Sequence, residues 1–270
     1  MNVTLLAITL ILYATSSVLF FLVLFKGRRP LRAAERVLEA GFVVHCLSIG
    51  VRFLEAGHFP LTNLHESLSV FACSLVGFYI YLQRRHRLEA LGSSVSVLAL
   101  LMTAAAYLSP SDIGPLPPIL RSYWLPVHSL LCFLGNGAFA LAFCAGVLYL
   151  LQERMIKSKS FGRLSRMLPS LQVLDEVNYR ALTVGFPLLT AGIITGAIWA
   201  NYAWGSYWSW DPKETWSLIT WLLYAALLHQ RLTVGWRGRR AAVMAMVGFG
   251  AVLFTFLGVN LLIGGLHAYS

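Results

Sequence analysis

Residues 204 to 216 read WGSYWSWDPKETW, with Trp221 a little over one helical turn further on. Trp204, Trp208, Trp210 and Trp216 surround a single acid-Pro-Lys-acid cluster, Asp211 to Glu214. Tryptophan presents a large planar apolar surface with one N–H donor. So many beside so few charges suggest a platform for a flat apolar ligand. Asp211 at an N-cap, Pro212 at N1 and Glu214 at N3 form a capping box, which opens a helix. Its N-terminus offers free N–H groups and partial positive charge, Lys213 adds a full one, and together they suit a carboxylate on that ligand. Two plainer accounts stand beside this reading. Capping alone would explain Asp211 and Glu214, and an aromatic belt at a membrane boundary would explain the tryptophans.

The rest of the chain must carry this stretch in a membrane. It has 270 residues, 58% of them apolar and 12% charged, with a mean hydropathy of +0.70. Soluble chains hold roughly 25% charged residues, so this is a polytopic membrane protein. Eight apolar segments reach the length of about 20 residues that a bilayer core requires: approximately 3–25, 36–54, 65–82, 90–108, 127–151, 180–200, 213–231 and 241–265. The expected fold is therefore an all-α integral membrane bundle of about eight transmembrane helices, forming one polytopic domain over 1–270. The first segment lacks a basic leader and a cleavage site and is followed at once by Lys26, Arg28 and Arg29, so it reads as a retained span.

The net charge of +10 would suggest nucleic acid in a soluble domain. Here the basic residues fall instead in alternate loops, after spans one, three, five and seven, all but Arg52, Arg121 and Lys213. No nucleic-acid partner is expected. The positive-inside rule puts those loops in the cytoplasm and both termini on the extracytoplasmic side. Residues 55–64, 109–126, the tryptophan-rich loop 201–214 and the C-terminus then converge outside. Inside, 152–179 reads as a basic loop attracted to anionic lipid, with Ser170 capping a short interfacial helix. Asn63 is expected to cap span three, with Glu66 reaching back to the cap N–H. Pro187 interrupts span six, where Gly185, Gly192 and Gly196 permit close packing. Cys46, Cys73, Cys132 and Cys144 lie in apolar segments with no pairing suggested by spacing, and they read as small buried residues.

The topology sorts the seven histidines. His128 at the start of span five and His267 at the end of span eight reach the outer boundary, on either side of the tryptophan loop. Imidazole is the usual nitrogen ligand of haem iron, and two would make a six-coordinate site. A boundary histidine is more often a polar group at the headgroups, but two beside an aromatic platform and a cationic helix start favour ligation. His229 lies at the far end of span seven, where a helix-end cation is the plain reading. His45 is mid-span, a costly place for an ionisable group, and one interhelical hydrogen bond would account for it. His58 and His65 are weaker outer-loop candidates, and His86 belongs to a basic inner turn.

The stretch from Trp204 to Trp216, continued by Leu218, Trp221, Tyr224, Leu228 and His229, resembles the WWD signature of the haem-handling proteins of cytochrome c biogenesis. The eight-span layout resembles the CcsA (ResC) branch. So do NLHESLSVF, WLPVH, LPSLQVLD, FPLLTAGIITGAIWA and FLGVNLLIGGLHAY, which carry the likeness over more than half the chain. A six-span CcmC pattern fits less well, and CcmF is much longer. His65 departs from the usual aromatic, and HemX-type relatives are the nearest alternative. The resemblance implies that His128 and His267 are axial ligands of haem b, and that His229 is a ligand where haem is taken up from the membrane. It also implies that Trp204, Trp208 and Trp210, with Asp211, Lys213 and Glu214, hold haem for attachment to a C-x-x-C-H apocytochrome c.

The implied function is delivery of haem b to the extracytoplasmic face and its presentation for thioether attachment. The chain would act as a subunit of a membrane cytochrome c synthase (haem lyase). Its expected partners are a CcsB/ResB-like membrane protein, apocytochrome c and the lipid bilayer, in a bacterial cytoplasmic membrane or a thylakoid. Two rivals remain: a HemX-type adaptor that binds haem or a tetrapyrrole-synthesis enzyme, and a transporter of another hydrophobic anion.

Overall fold

The computed structural model describes residues 1–26, 29–86, 91–114, 120–159 and 162–263. His267 and the C-terminus lie outside the described residues, as do Arg28, Arg87, Pro115, Pro117 and Pro118. Among the described residues the secondary structure is helical: α1 (Asn2–Lys26), α2 (Leu31–Ala56), α3 (Leu64–His86), α4 (Leu91–Leu108), α5 (Trp124–Lys157), α6 (Arg163–Met167), α7 (Leu171–Trp204), α8 (Pro212–His229) and α9 (Arg239–Leu253). Two stretches of wider π-helix, Gln230–Val234 and Phe254–Ile263, continue α8 and α9.

Seven of these helices are long and apolar enough to cross a membrane. The remaining expected span, α8, has 18 residues and carries Pro212, Lys213, Glu214 and His229, which lower its hydropathy. Helices α5 and α7 have 34 residues each, about 51 Å at 1.5 Å per residue, so both exceed a core of roughly 30 Å. The helix opened by Ser170, whose Oγ accepts from Val173 N at 3.3 Å, is not short. It runs without a break into the apolar segment and past Pro187 to Trp204, because nothing between residues 171 and 180 stops a helix.

The described residues form two compact units, those within 1–113 with 147–174 and those within 114–146 with 175–263. In the first unit α1 packs on α2 and α4, and α3 packs on the same two helices, which closes a four-helix bundle. Its core holds Tyr13, Phe20, Leu38, Phe71, Leu75 and Tyr79, each fully buried. Several buried polar side chains inside are paired, as burial demands. His45 bonds Tyr13 Oη at 3.2 Å and Ser69 Oγ at 2.9 Å, so this mid-helix histidine ties three helices together. Arg52 Nε donates to Glu66 Oε1 at 2.8 Å, and Asn63 Oδ1 caps α3 by accepting from Glu66 N at 2.9 Å. Glu66 reaches Thr62 N and Oγ1, both at 2.9 Å, one residue short of the expected capping box.

In the second unit the approach of α5 to α7 depends on small residues. A Cβ at Gly135 would stand 3.0 Å from Leu189 N, and one at Gly192 would stand 2.6 Å from Cys132 Sγ. Phe139 on α5 stacks on Tyr224 of α8 at 3.6 Å, and Phe143 on Phe249 of α9 at 4.7 Å. Arg231, just beyond α8, grips both carboxylate oxygens of Asp175 at 2.9 and 2.7 Å, while Gly238 N donates to the same carboxylate at 2.8 Å. This clamp fixes the turn between α8 and α9 to the start of α7.

Candidate functional site

The tryptophan-rich loop is built locally. Gly205 ends α7 with φ +74°, a left-handed conformation that favours glycine, and its N–H returns to Asn201 O at 2.9 Å. The chain re-enters a helix at Asp211, whose Oδ1 accepts from Lys213 N at 2.9 Å; Glu214 completes the capping box. Glu214 Oε2 gathers Ser209 N at 2.8 Å, Ser209 Oγ at 3.1 Å and Asp211 N at 3.3 Å. One carboxylate thus holds three donors of the loop. Glu214→Ala is expected to free them at about 1 kcal/mol per bond, read as faster amide exchange over 206–211 with α9 unchanged. Trp210 has φ +57°, which costs a non-glycine residue roughly 1–2 kcal/mol, and its ring is left exposed.

The tryptophans stand in two edge-to-face pairs, not one flat wall. Trp208 meets Trp210 at 5.8 Å and 86°, and Trp204 meets Trp199 at 4.9 Å and 67°. Trp208 Nε1 is buried and has no hydrogen-bond partner among the described residues. Trp216 packs on Phe254 at 4.2 Å, and Trp221 Nε1 donates to Thr190 Oγ1 at 2.9 Å, so these two serve packing between helices.

His128, on the first turns of α5, stacks on Trp199 at 6.3 Å and 16°. Its Nδ1 lies 2.7 Å from Gly192 O on α7. A carbonyl only accepts, so Nδ1 must carry the proton, and in neutral imidazole this leaves Nε2 with its lone pair available. Histidines that bind metals are held in this way, by a backbone or carboxylate acceptor on the other nitrogen. Gly196 lets the ring lie against α7, since a Cβ there would be 2.5 Å from Nδ1. Cys132 Sγ, one turn on, is 3.7 Å from Nδ1.

The second unit therefore holds His128, Trp199 and Trp204 in one aromatic row, with Trp208, Trp210 and Asp211 in the loop that follows Trp204 and Lys213 and Glu214 on the first turn of α8. Lys213 is part-buried, and its backbone belongs to the cap. His229, with an exposed ring, sits at the opposite end of α8 and is not brought to this group. His58 bonds the neighbouring Phe59 O at 3.1 Å, and His65 is buried in the first unit with Nδ1 2.8 Å from Ala106 O. Sequence reasoning missed Trp199 and the Gly192 carbonyl. Trp199 was detectable as a second tryptophan on the last turns of the segment leading to Trp204; a backbone acceptor 64 residues from His128 was not.

The cytochrome c assembly protein family model matches residues 61–267. The cytochrome c biogenesis protein CcsA of Guillardia theta is 41% identical over 251 residues, covering 84% of this chain and 83% of its own length. The chain belongs to the cytochrome c assembly protein family. Its CcsA relative in Synechococcus elongatus is likewise 41% identical, over 267 residues and 82% of either chain. Among solved structures, this cytochrome c assembly protein is similar to the cytochrome c haem lyase CcmF, with a TM-score of 0.68 and 20% identity. The likeness covers 95% of this chain and 46% of CcmF, so the chain spans under half the length of that structure, and the likeness is one of fold. As a cytochrome c assembly protein with seven membrane-length helices, it is a multi-pass membrane protein with a role in cytochrome c biogenesis.

Proposed function

We propose that this chain carries haem b to the extracytoplasmic face and presents it there for attachment to a C-x-x-C-H apocytochrome c. The observation that carries the reading is the fixed tautomer of His128: with Nδ1–H given to Gly192 O, Nε2 offers an iron ligand beside Trp199 and Trp204. The donor set fits the cargo. His128 Nε2 and His267 would hold the iron, and Trp204, Trp208 and Trp210 would contact the porphyrin. Lys213 and the Trp208 N–H, which has no partner among the described residues, take the propionates. His229 binds haem where it is taken up near the cytoplasmic side. In this reading α8 is an eighth span, both termini are extracytoplasmic, and the tryptophan loop faces outward.

Haem supplies the vinyl groups to which the two apocytochrome thiols add. The chain supplies position: it orients the ring, excludes alternatives and holds the iron while partner and substrate dock. A CcsB/ResB-like partner brings the apocytochrome, and the pair forms a cytochrome c synthase of a bacterial cytoplasmic or thylakoid membrane. The test is the visible spectrum of the purified protein from haem-replete cells. A Soret band is expected in the parent. His128→Ala is expected to lose it, together with cytochrome c maturation, at unchanged abundance in the membrane. Retention of both haem and maturation in that variant overturns the reading.

A further inference from the structure

The first unit holds a pair of thiols that the spacing of the cysteines gives no reason to expect. Cys46 on α2 and Cys73 on α3 are free and face each other with their sulfurs 3.6 Å apart. Both lie deep in their helices, about 13 Å or more from either end at 1.5 Å per residue. Cys46 is exposed, on the same stripe as Val43 and Leu47, which are each 56% exposed. In a multi-pass membrane protein that stripe faces hydrocarbon. On the other side of the pair the bundle is ordered: His45, next to Cys46, is fully buried and fixed to Tyr13 and to Ser69, one turn before Cys73. The two helices are therefore held in register at the height of the thiols. A disulfide needs its sulfurs at about 2.05 Å, and thiols already in contact reach that by a small side-chain rotation.

We propose that Cys46 and Cys73 form a dithiol that a lipid-soluble quinone oxidises to a disulfide. The reaction balances: two S–H bonds break, one S–S bond forms, and the two electrons and two protons released reduce the quinone to a quinol. The location selects the oxidant. A thiol at mid-helix on an apolar exposed stripe is out of reach of a soluble disulfide or a charged oxidant, but open to an apolar carrier dissolved in the bilayer. Closure links α2 to α3 covalently, so the packing of the first unit responds to the oxidation state of the membrane's quinone pool. This couple uses none of the haem-site residues, and it stands or falls apart from the haem reading.

The experiment uses the full chain, reduced and reconstituted in phospholipid vesicles, with a short-tailed ubiquinone analogue as the probe. After quenching in acid and denaturation, maleimide–polyethylene glycol counts the free thiols by gel shift. The quinone is expected to remove two of four thiols, to yield one quinol per chain by absorbance, and to be reversed by dithiothreitol. Cys46→Ser and Cys73→Ser should each abolish both signals, while Cys132→Ser and Cys144→Ser leave them intact. Closure by oxidised glutathione as fast as by the quinone overturns the assignment of the oxidant. No thiol loss with the quinone, in a sample where a copper–phenanthroline oxidant does close the pair, overturns the proposal, as does thiol loss that persists in Cys46→Ser.

Discussion

Replacing Gly196 by alanine is expected to weaken haem retention by about 10–100-fold, the usual cost of losing a residue that orients a metal ligand, although Gly196 itself offers no ligand atom. The argument is steric. A Cβ at this position would lie 2.5 Å from His128 Nδ1 and 2.6 Å from Cε1, distances that no real Cβ contact sustains. The ring cannot retreat along its own plane without giving up the 2.7 Å bond to Gly192 O, and that bond selects the tautomer. Once it is broken, Nδ1 and Nε2 compete for the proton and the ring loses its stacking on Trp199. Gly250→Ala is the matched control, since a Cβ there meets nothing within 4 Å. The measurement is Soret absorbance per mole of purified protein, with cytochrome c yield in the same cells. If Gly196→Ala binds haem as tightly as the Gly250→Ala control, the orientation of His128 is not what the site depends on.

How much of this was legible in the sequence follows from the range of each interaction. The helices were readable because a membrane span is set by its own composition: α4 was expected over 90–108 and runs Leu91–Leu108. The Asp211–Glu214 box was readable because a cap is decided within four residues, and it forms as expected. Ser170 was also a correct start, but the end of its helix was misjudged. Loop composition over 152–179 says where the charges go, not where a helix stops, and the backbone continues regardless. The contacts that orient and pair side chains were not legible. His128 meets a carbonyl 64 residues away, and Cys46 meets Cys73 across 27. Both depend on which faces of two helices oppose each other, and an apolar segment with no strong polar face does not announce its rotation. Trp204, Trp208 and Trp210 illustrate the same limit, since their types suggested one platform while the backbone of the loop, turned by Gly205 and by the left-handed Trp210, separates Trp204, which meets Trp199 of α7, from the edge-to-face pair Trp208–Trp210.

The largest effect on stability is expected from Glu66→Leu, at about 3–5 kcal/mol, the cost of stranding a buried charge by removing its partner. The side chains of Arg52 and Glu66 are 5% and 1% exposed, so neither can exchange its partner for water. Each nitrogen of the guanidinium is engaged: Nε on Glu66, Nη1 on Ser111 O at 2.7 Å and Nη2 on Asp112 O at 3.3 Å. The other oxygen of Glu66 holds Thr62 N and Oγ1. The pair therefore joins α2, the turn before α3 and the segment after α4 at one point, and the variant should lose Tm on the order of 10 °C in detergent. Arg52→Met alone should cost a similar amount, because it strands the carboxylate instead. The double variant Arg52→Met/Glu66→Leu tells charge from geometry. Removing both charges cancels the desolvation penalty, but the carbonyls of Ser111 and Asp112 and the N–H of Thr62 are still left without partners, each at about 1–3 kcal/mol if they stay dry. It should thus be more stable than the sum of the single variants predicts, yet less stable than the parent. Strict additivity would mean that the two side chains act independently and that the ion pair does not organise this end of the first unit.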